Sequence, residues 1–278
     1  IYLYINTIKY LKFSQIYYRF KKSINTKSVH APTSYKLRNK GKKNFKKTID
    51  KKKIFKINIF HIFNQKKKIT KPYDWIDQNP SKLFSYNLNY LDYLNNYDGK
   101  VSNKKKYEIL NQWLSHNKNY NLLSWDSYPT SLRAVNIIKW IIRNELSFEE
   151  LNLKLMIHGK IIFDKIEFHL EGNHLIANAK ALIYLGCYFD SNYSDKWLSC
   201  GINLLKAEIK KQISEDGGHK EKSPMYQSII IEDLIDIANI SQHYNLNLAK
   251  KLNIKKIILI MLQNLKKLIH PDGRDSFF

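Results

Sequence analysis

The stretch FHLEGNHLIANAKAL, residues 168–182, decides how the chain is read. Leu175, Ile176, Ala179 and Leu182 fall on one face at helical spacing, which predicts a buried helix over residues 173–189. That helix opens on Gly172, Asn173 and His174, where the apolar face begins. Locally these residues have an ordinary explanation. Gly172 ends the preceding helix or permits a close approach, Asn173 caps the next helix, and His174 is a satisfied or exposed first-turn histidine. A functional pair is the other explanation, and the neighbouring segments have to decide between them.

Outward from this stretch the chain reads as successive helices with short polar breaks, over residues 106–116, 130–144, 147–170, 195–213, 227–243 and 248–269. Pro129 leads into the second of these, and Ser147 and Glu150 stand in capping-box spacing at the third. Strands are hardly visible. Paired helices of similar length on short loops predict an α/α toroid or an irregular solenoid. Before residue 73 the pattern is less regular, with basic clusters alternating with apolar pieces such as IFKINIFHIF (54–63), a strand or a short helix.

Charge follows the same division. Residues 1–72 hold 21 Lys or Arg against one acid, Asp50, whereas the rest of the 278-residue chain is nearly balanced. Such an arm holds a polyanion or an anionic surface by Coulomb attraction. It also fits a compositional origin, because only five of the 47 basic residues are Arg, the residue that bidentate phosphate recognition prefers. A 44% hydrophobic and 13% aromatic content predicts a folded chain. Cys187 and Cys200 sit in apolar helical contexts and read as free thiols. No apolar run is long enough to span a bilayer, and the first twenty residues lack a signal-peptide pattern.

Two further polar interruptions stand out. EDGGHKEKSPMYQ (215–227) combines a Gly-Gly turn with His219, Lys220, Glu221 and Lys222, and Pro224 then brings Tyr226 to a helix entrance, as at a cleft rim. SWDSYPTSLRAVNIIKW (124–140) offers Trp125 and Tyr128 either as a sugar-stacking surface or as a hydrophobic staple. Arg133, inside that apolar helix, requires a carboxylate or comparable partner. His169, Glu171 and His174 do not share one helix face, so no metal site is expected.

YNLNYLDYL (86–94), YPTSLRAVNIIKW (128–140), GNHLIANAKAL (172–182) and DGGHKEKSPMYQ (216–227) occur in the order, and at about the intervals, found in heparinase II/III-like proteins. The chain resembles their N-terminal α/α-toroid domain, a relative of the alginate lyase toroids. TIKYLKFSQIYYRF (7–20) resembles the start of members that accompany surface-polysaccharide gene clusters. The resemblance implies an all-α fold, an incomplete (α/α) toroid of paired antiparallel helices over 73–278, with the basic region 1–72 packing on it or leading into it. It also implies a C-terminal β-sandwich in the full-length protein that this chain does not include, so the chain is expected to be the toroid half of a two-domain enzyme.

The implied activity is β-elimination on a uronic-acid polysaccharide, with Asn173 neutralising the carboxylate, Tyr226 as general base or acid, and His174 as base or second neutraliser. Arg133, Lys180, Lys220 and Lys222 would bind flanking anionic groups. Trp125, Tyr128 and Tyr90 would supply stacking faces, with His219 and Glu221 also contacting substrate. The expected partner is an anionic polysaccharide rather than nucleic acid, no cofactor is expected, and the resemblance favours a periplasmic or envelope-associated location. Lys220, Lys222, Gln227 and Asn89 depart from the family pattern of Phe, Arg, His and His at those places. Two alternatives are a non-catalytic glycan-binding module and an α/α-toroid glycoside hydrolase using Asp216 and Glu221.

Overall fold

The computed structural model describes residues 9, 11–24, 32–41, 45–46, 59–63, 65–75, 81–95 and 101–273. Among these, helix α1 (Phe13–Ile24) is followed by a hairpin of β1 (Ile59–Ile62) and β2 (Gln65–Lys68). Then come α2 (Lys82–Leu88), α3 (Asn103–His116), α4 (Ser127–Arg143), α5 (Glu149–Asp164), α6 (Gly172–Tyr188), α7 (Asn192–Gln212), α8 (Pro224–His243), α9 (Leu248–Lys251) and α10 (Ile254–Lys266). No described helix is long and apolar enough to cross a membrane.

Helix α6 is the centre of the molecule. Every residue from Leu175 to Tyr188 is buried, because α4, α5, α7 and α8 pack around it. A helix covered on all sides needs small residues where neighbours come closest. At Gly186 a Cβ would stand 2.5 Å from Leu198 Cβ and 2.7 Å from the Ser194 carbonyl, so α7 can lie where it does only against glycine. Three residues separate α6 from α7, which makes the two antiparallel neighbours, and Ser191 and Ser194 close a reciprocal cap at the start of α7.

Several local expectations are corrected. The Ser147–Glu150 capping box does not form. Phe148 is the N-cap residue and makes no side-chain capping bond; its ring instead stacks on Tyr107 at 4.1 Å and anchors the start of α5. Asn173 does not cap either, since α6 already begins at Gly172 behind Glu171. The helix predicted over 248–269 is broken after one turn, because Asn253 adopts a left-handed conformation (φ 52°) and restarts the chain as α10. Of the described part of IFKINIFHIF, residues 59–62 are strand and Phe63 begins the turn: Phe60 and Ile62 point inward, and Phe60 meets Trp75 and Tyr93 edge to face.

Part of the basic N-terminal region is tied to the helical body through its backbone. Leu37 bridges Phe189, the Arg38 N–H donates to the Tyr188 carbonyl at 2.9 Å, and the Gly41 N–H donates to the His243 carbonyl at 2.8 Å. The segment therefore lies across the C-terminal ends of α6 and α8, where the helix dipole favours cations such as Lys36, Arg38 and Lys40.

Candidate active site

Three segments distant in sequence meet at the N-terminal end of α6. The backbone before it is strained into the left-handed region at both Glu171 (φ 61°) and Gly172 (φ 58°), and a Cβ on Gly172 would stand 2.7 Å from Glu221 Oε1. Glycine is thus required at 172, for its φ and for the approach of the 215–227 loop. Glu171 is held by Lys12 at 2.8 Å and Lys211 at 3.0 Å.

Freed from capping, the Asn173 amide donates to the Tyr128 hydroxyl at 3.3 Å, and the His174 ring lies against the Tyr128 ring with centroids 4.2 Å apart. Tyr90 meets Tyr128 edge to face at 6.0 Å, and Tyr86 stacks beside it at 6.5 Å. Burial, then the charge of Asp233, pushes the Tyr128 hydroxyl above its ordinary value, so it remains protonated at neutral pH. Tyr90, Tyr128 and Tyr226 line one open cleft of about 420 Å³. Tyr226 reaches it from the first turn of α8, which Ser223 caps and Pro224 begins.

The floor of this cleft is ionic. Lys180 on α6 bonds Asp233 at 2.8 Å and Asp236 at 2.5 Å, and Lys139 on α4 bonds Asp236 at 2.8 Å, all of them buried. Burial works against each charge. The opposite charges outweigh it at Lys180, which is raised, and at Asp236, which Lys180 and Lys139 lower to about 2, whereas burial prevails at Asp233, which is raised, and at Lys139, which is lowered. The expectation that Lys180 reaches a substrate anion is corrected accordingly, because its charge is already balanced by two aspartates.

Arg133 and Trp125 are also corrected. Arg133 is 0% exposed and its guanidinium lies 4.1 Å from the Trp113 ring and 4.8 Å from the Trp125 ring. Among the described residues no carboxylate holds it. Its Nε donates to His158 Nε2 at 2.9 Å, and Nη1 donates to the carbonyls of Asn89 and Ser124 at 3.1 and 2.9 Å. Burial and the Arg133 charge keep His158 neutral, and with Nε2 accepting, its Nδ1–H donates to the Lys154 carbonyl at 2.7 Å. Trp125 is 2% exposed and donates its indole N–H to the Asn117 carbonyl. Both side chains are core.

The 215–227 loop divides between surface and brace. Glu221, Lys222 and Lys220 are exposed. His219 is buried, so a direct sugar contact is corrected to a supporting place: its Nε2–H faces Gln212 Oε1 at 3.2 Å, and Gln212 in turn donates to the Gly172 carbonyl at 2.9 Å. Gln227 accepts from the His219 backbone N–H and donates to the Met261 carbonyl. Asn89 accepts the Trp113 indole N–H at 2.7 Å. Asp216 is committed to the turn, where bonds from the Ser214 hydroxyl and the Gly218 N–H hold its carboxyl below the ordinary value.

One residue that sequence reading missed belongs here. Glu167, 2% exposed, places Oε2 3.1 Å from His174 Nδ1. No spacing rule joins an acid in the turn before a helix to a histidine in its first turn, so only the fold brings them together.

The chain is similar to known proteins over most of its length. The family model described as Heparinase II/III N-terminus matches residues 11–275. A heparin-sulfate lyase of Bacteroides thetaiotaomicron is 26% identical over 159 residues, which is 51% of this chain and 23% of that protein. A heparin-sulfate lyase of Pedobacter heparinus is 28% identical over 39% of this chain and 16% of its own length. The chain thus spans less than a quarter of the length of these curated relatives. Among solved structures, a mutant heparan sulfate lyase from Pedobacter heparinus superposes with a TM-score of 0.58 at 18% identity, covering 95% of this chain and 44% of that one. Heparinase III superposes at 0.55 over 71% of this chain and 33% of its own. With a match over nearly its whole length and a shared all-α toroid, the chain belongs to the heparinase II/III family.

Proposed function

We propose that the cleft between α4, α6 and α8 serves β-elimination on a uronic-acid polysaccharide, with Asn173, His174 and Tyr226 as its catalytic residues and residues 73–278 as the toroid part of a two-domain lyase. The observation that carries this reading is that Asn173 is not spent on a cap. Its amide stands beside Tyr128 and His174 at the N-terminal end of a 17-residue buried helix, where the dipole favours an anion. A uronate carboxylate bound there has its charge neutralised as the C5 carbanion develops, which is where preorganised donors help most. The proton α to the carboxylate then leaves C5, the C4–O bond breaks, and the tyrosine phenol of the cleft protonates the departing oxygen. Tyr90 and Tyr128 form the stacking wall, and the exposed Glu221, whose carboxylate approaches Gly172, and Lys222 are further substrate contacts.

A hydrolase reading has less support. It needs a carboxylic acid that stays protonated, and Asp216 is held the other way by its turn. The test is ultraviolet absorbance of unsaturated uronate, measured on the intact natural protein against heparan sulfate, alginate, hyaluronan and polyglucuronate. Absorbance is expected to grow on at least one of these and to fall by about 10²-fold or more in both Asn173→Ala and Tyr226→Phe. Growth that persists unchanged in both variants, or no growth on any substrate, refutes the proposal.

A further inference from the structure

We infer that Glu167 is a positioning residue that holds His174 as the Nδ1–H tautomer, leaving Nε2 as the nitrogen that accepts the C5 proton. This deepens the elimination reading and rests on it for the proton's destination. The geometry is that of a buried carboxylate behind a half-exposed imidazole. Glu167 Oε2 lies 3.1 Å from His174 Nδ1, the Glu167 side chain is 2% exposed, and the His174 side chain is 25% exposed. An ionised carboxylate only accepts, so Nδ1 must carry the hydrogen, and the lone pair is left on Nε2. Nε2 has no hydrogen-bond partner among the described residues.

Glu167 is itself held in place. Its backbone N–H donates to Asn178 Oδ1 at 3.0 Å, and Asn178 Nδ2 donates to Ser131 Oγ at 3.0 Å. Asn178 lies four residues after His174 on α6, so one face of that helix engages Glu167 at two points. Tyr128, from α4, closes the other side of the ring with centroids 4.2 Å apart. The imidazole is therefore fixed in plane by Tyr128 and in rotation by Glu167. A carboxylate cannot neutralise a uronate and is unfavourable near one. Its use is to stabilise the imidazolium that forms.

In the step, the C5–H bond breaks and its proton passes to Nε2. The C–H electron pair becomes the C4=C5 double bond as the C4–O bond breaks, and Tyr226 donates its phenolic proton to the leaving oxygen. Water then takes the proton from Nε2, and Tyr226 is reprotonated.

Long-range nitrogen–proton NMR of the chain labelled with [15N]histidine reads the tautomer directly, with the His174 signals assigned by their loss in His174→Gln. The wild type is expected to show a protonated Nδ1 and an unprotonated Nε2 near pH 8. In the near-isosteric Glu167→Gln variant, whose circular dichroism should be unchanged, that preference is expected to be lost. In the intact natural protein the variant is expected to lower kcat by about 10²-fold with KM within about twofold. A wild-type His174 protonated on Nε2, a spectrum indifferent to Glu167→Gln, or an unchanged kcat overturns the inference. The expected spectra with no elimination by the wild type would instead refute the proposed function and leave the tautomer assignment standing.

Discussion

At the scale of single residues, the neighbourhood of α6 separates polar groups that are spent from groups that are free. Arg133 looks from sequence like a substrate ligand, but four of its five donors face a histidine, a hydroxyl and two carbonyls between indole faces. Arg133→Lys should therefore destabilise the fold by about 3 kcal/mol, since a point charge satisfies neither the fork of acceptors nor the stacking. Urea denaturation monitored by circular dichroism checks this, and a variant as stable as wild type would show that the sandwich contributes little. Asn173, His174 and Tyr226 stand out in the sequence because each breaks an apolar rhythm. Sequence did not tell that Arg133 and Trp125 are core, because spacing along a helix shows which side a residue occupies but not whether that side faces a cleft or another element; Lys180 does face the cleft but is held there by two aspartates, and His219 is buried in a loop, where no spacing rule applies. Glu167 was illegible for the opposite reason: it interrupts nothing.

At the scale of elements, α4, α6 and α8 are joined at the cleft floor by charge as well as packing. Removing one partner leaves the others buried and unbalanced. Asp236→Asn is expected to cost about 3 kcal/mol at neutral pH, because Lys139 and Lys180 would lose their shared counterion. The pH dependence carries the same signature. Asp236 has a folded-state pKa near 2 against an ordinary 3.8, so its contribution is fully present above pH ~4 and is lost as pH falls towards ~2. Equilibrium unfolding of wild type across that window should show an acid-side fall that the asparagine variant lacks, whereas parallel curves would remove the charge network from the account. Where α6 meets α7, Gly186→Ala should cost about 1–3 kcal/mol by forcing the helices apart, measurable as a lower unfolding midpoint. Helices α3 to α8, and helix in the 248–269 stretch, were legible from periodicity, whereas α1 and α2 were not. The break at Asn253 and the start of α5 were not, since a left-handed asparagine and a half-buried Phe148 stacked on Tyr107 are set by tertiary packing rather than by local propensity.

At the scale of the whole molecule, the start of α6, a helix buried from Leu175 to Tyr188, adjoins Tyr128 of the cleft wall and is braced from behind through Gln212, His219 and Gln227. Asn89 and Gln227 also serve as braces, each using both the donor and the acceptor of its amide. That arrangement suits stabilising a developing carboxylate dianion more than protonating a glycosidic oxygen with a raised carboxylic acid. The most direct measurement is the mass of the fragments released by the intact natural protein from a defined uronate oligosaccharide. Elimination predicts fragments that sum to the substrate mass with no water gained, one of them unsaturated, and no such fragments from Asn173→Ala. Fragments that together gain one water would identify hydrolysis and contradict the account.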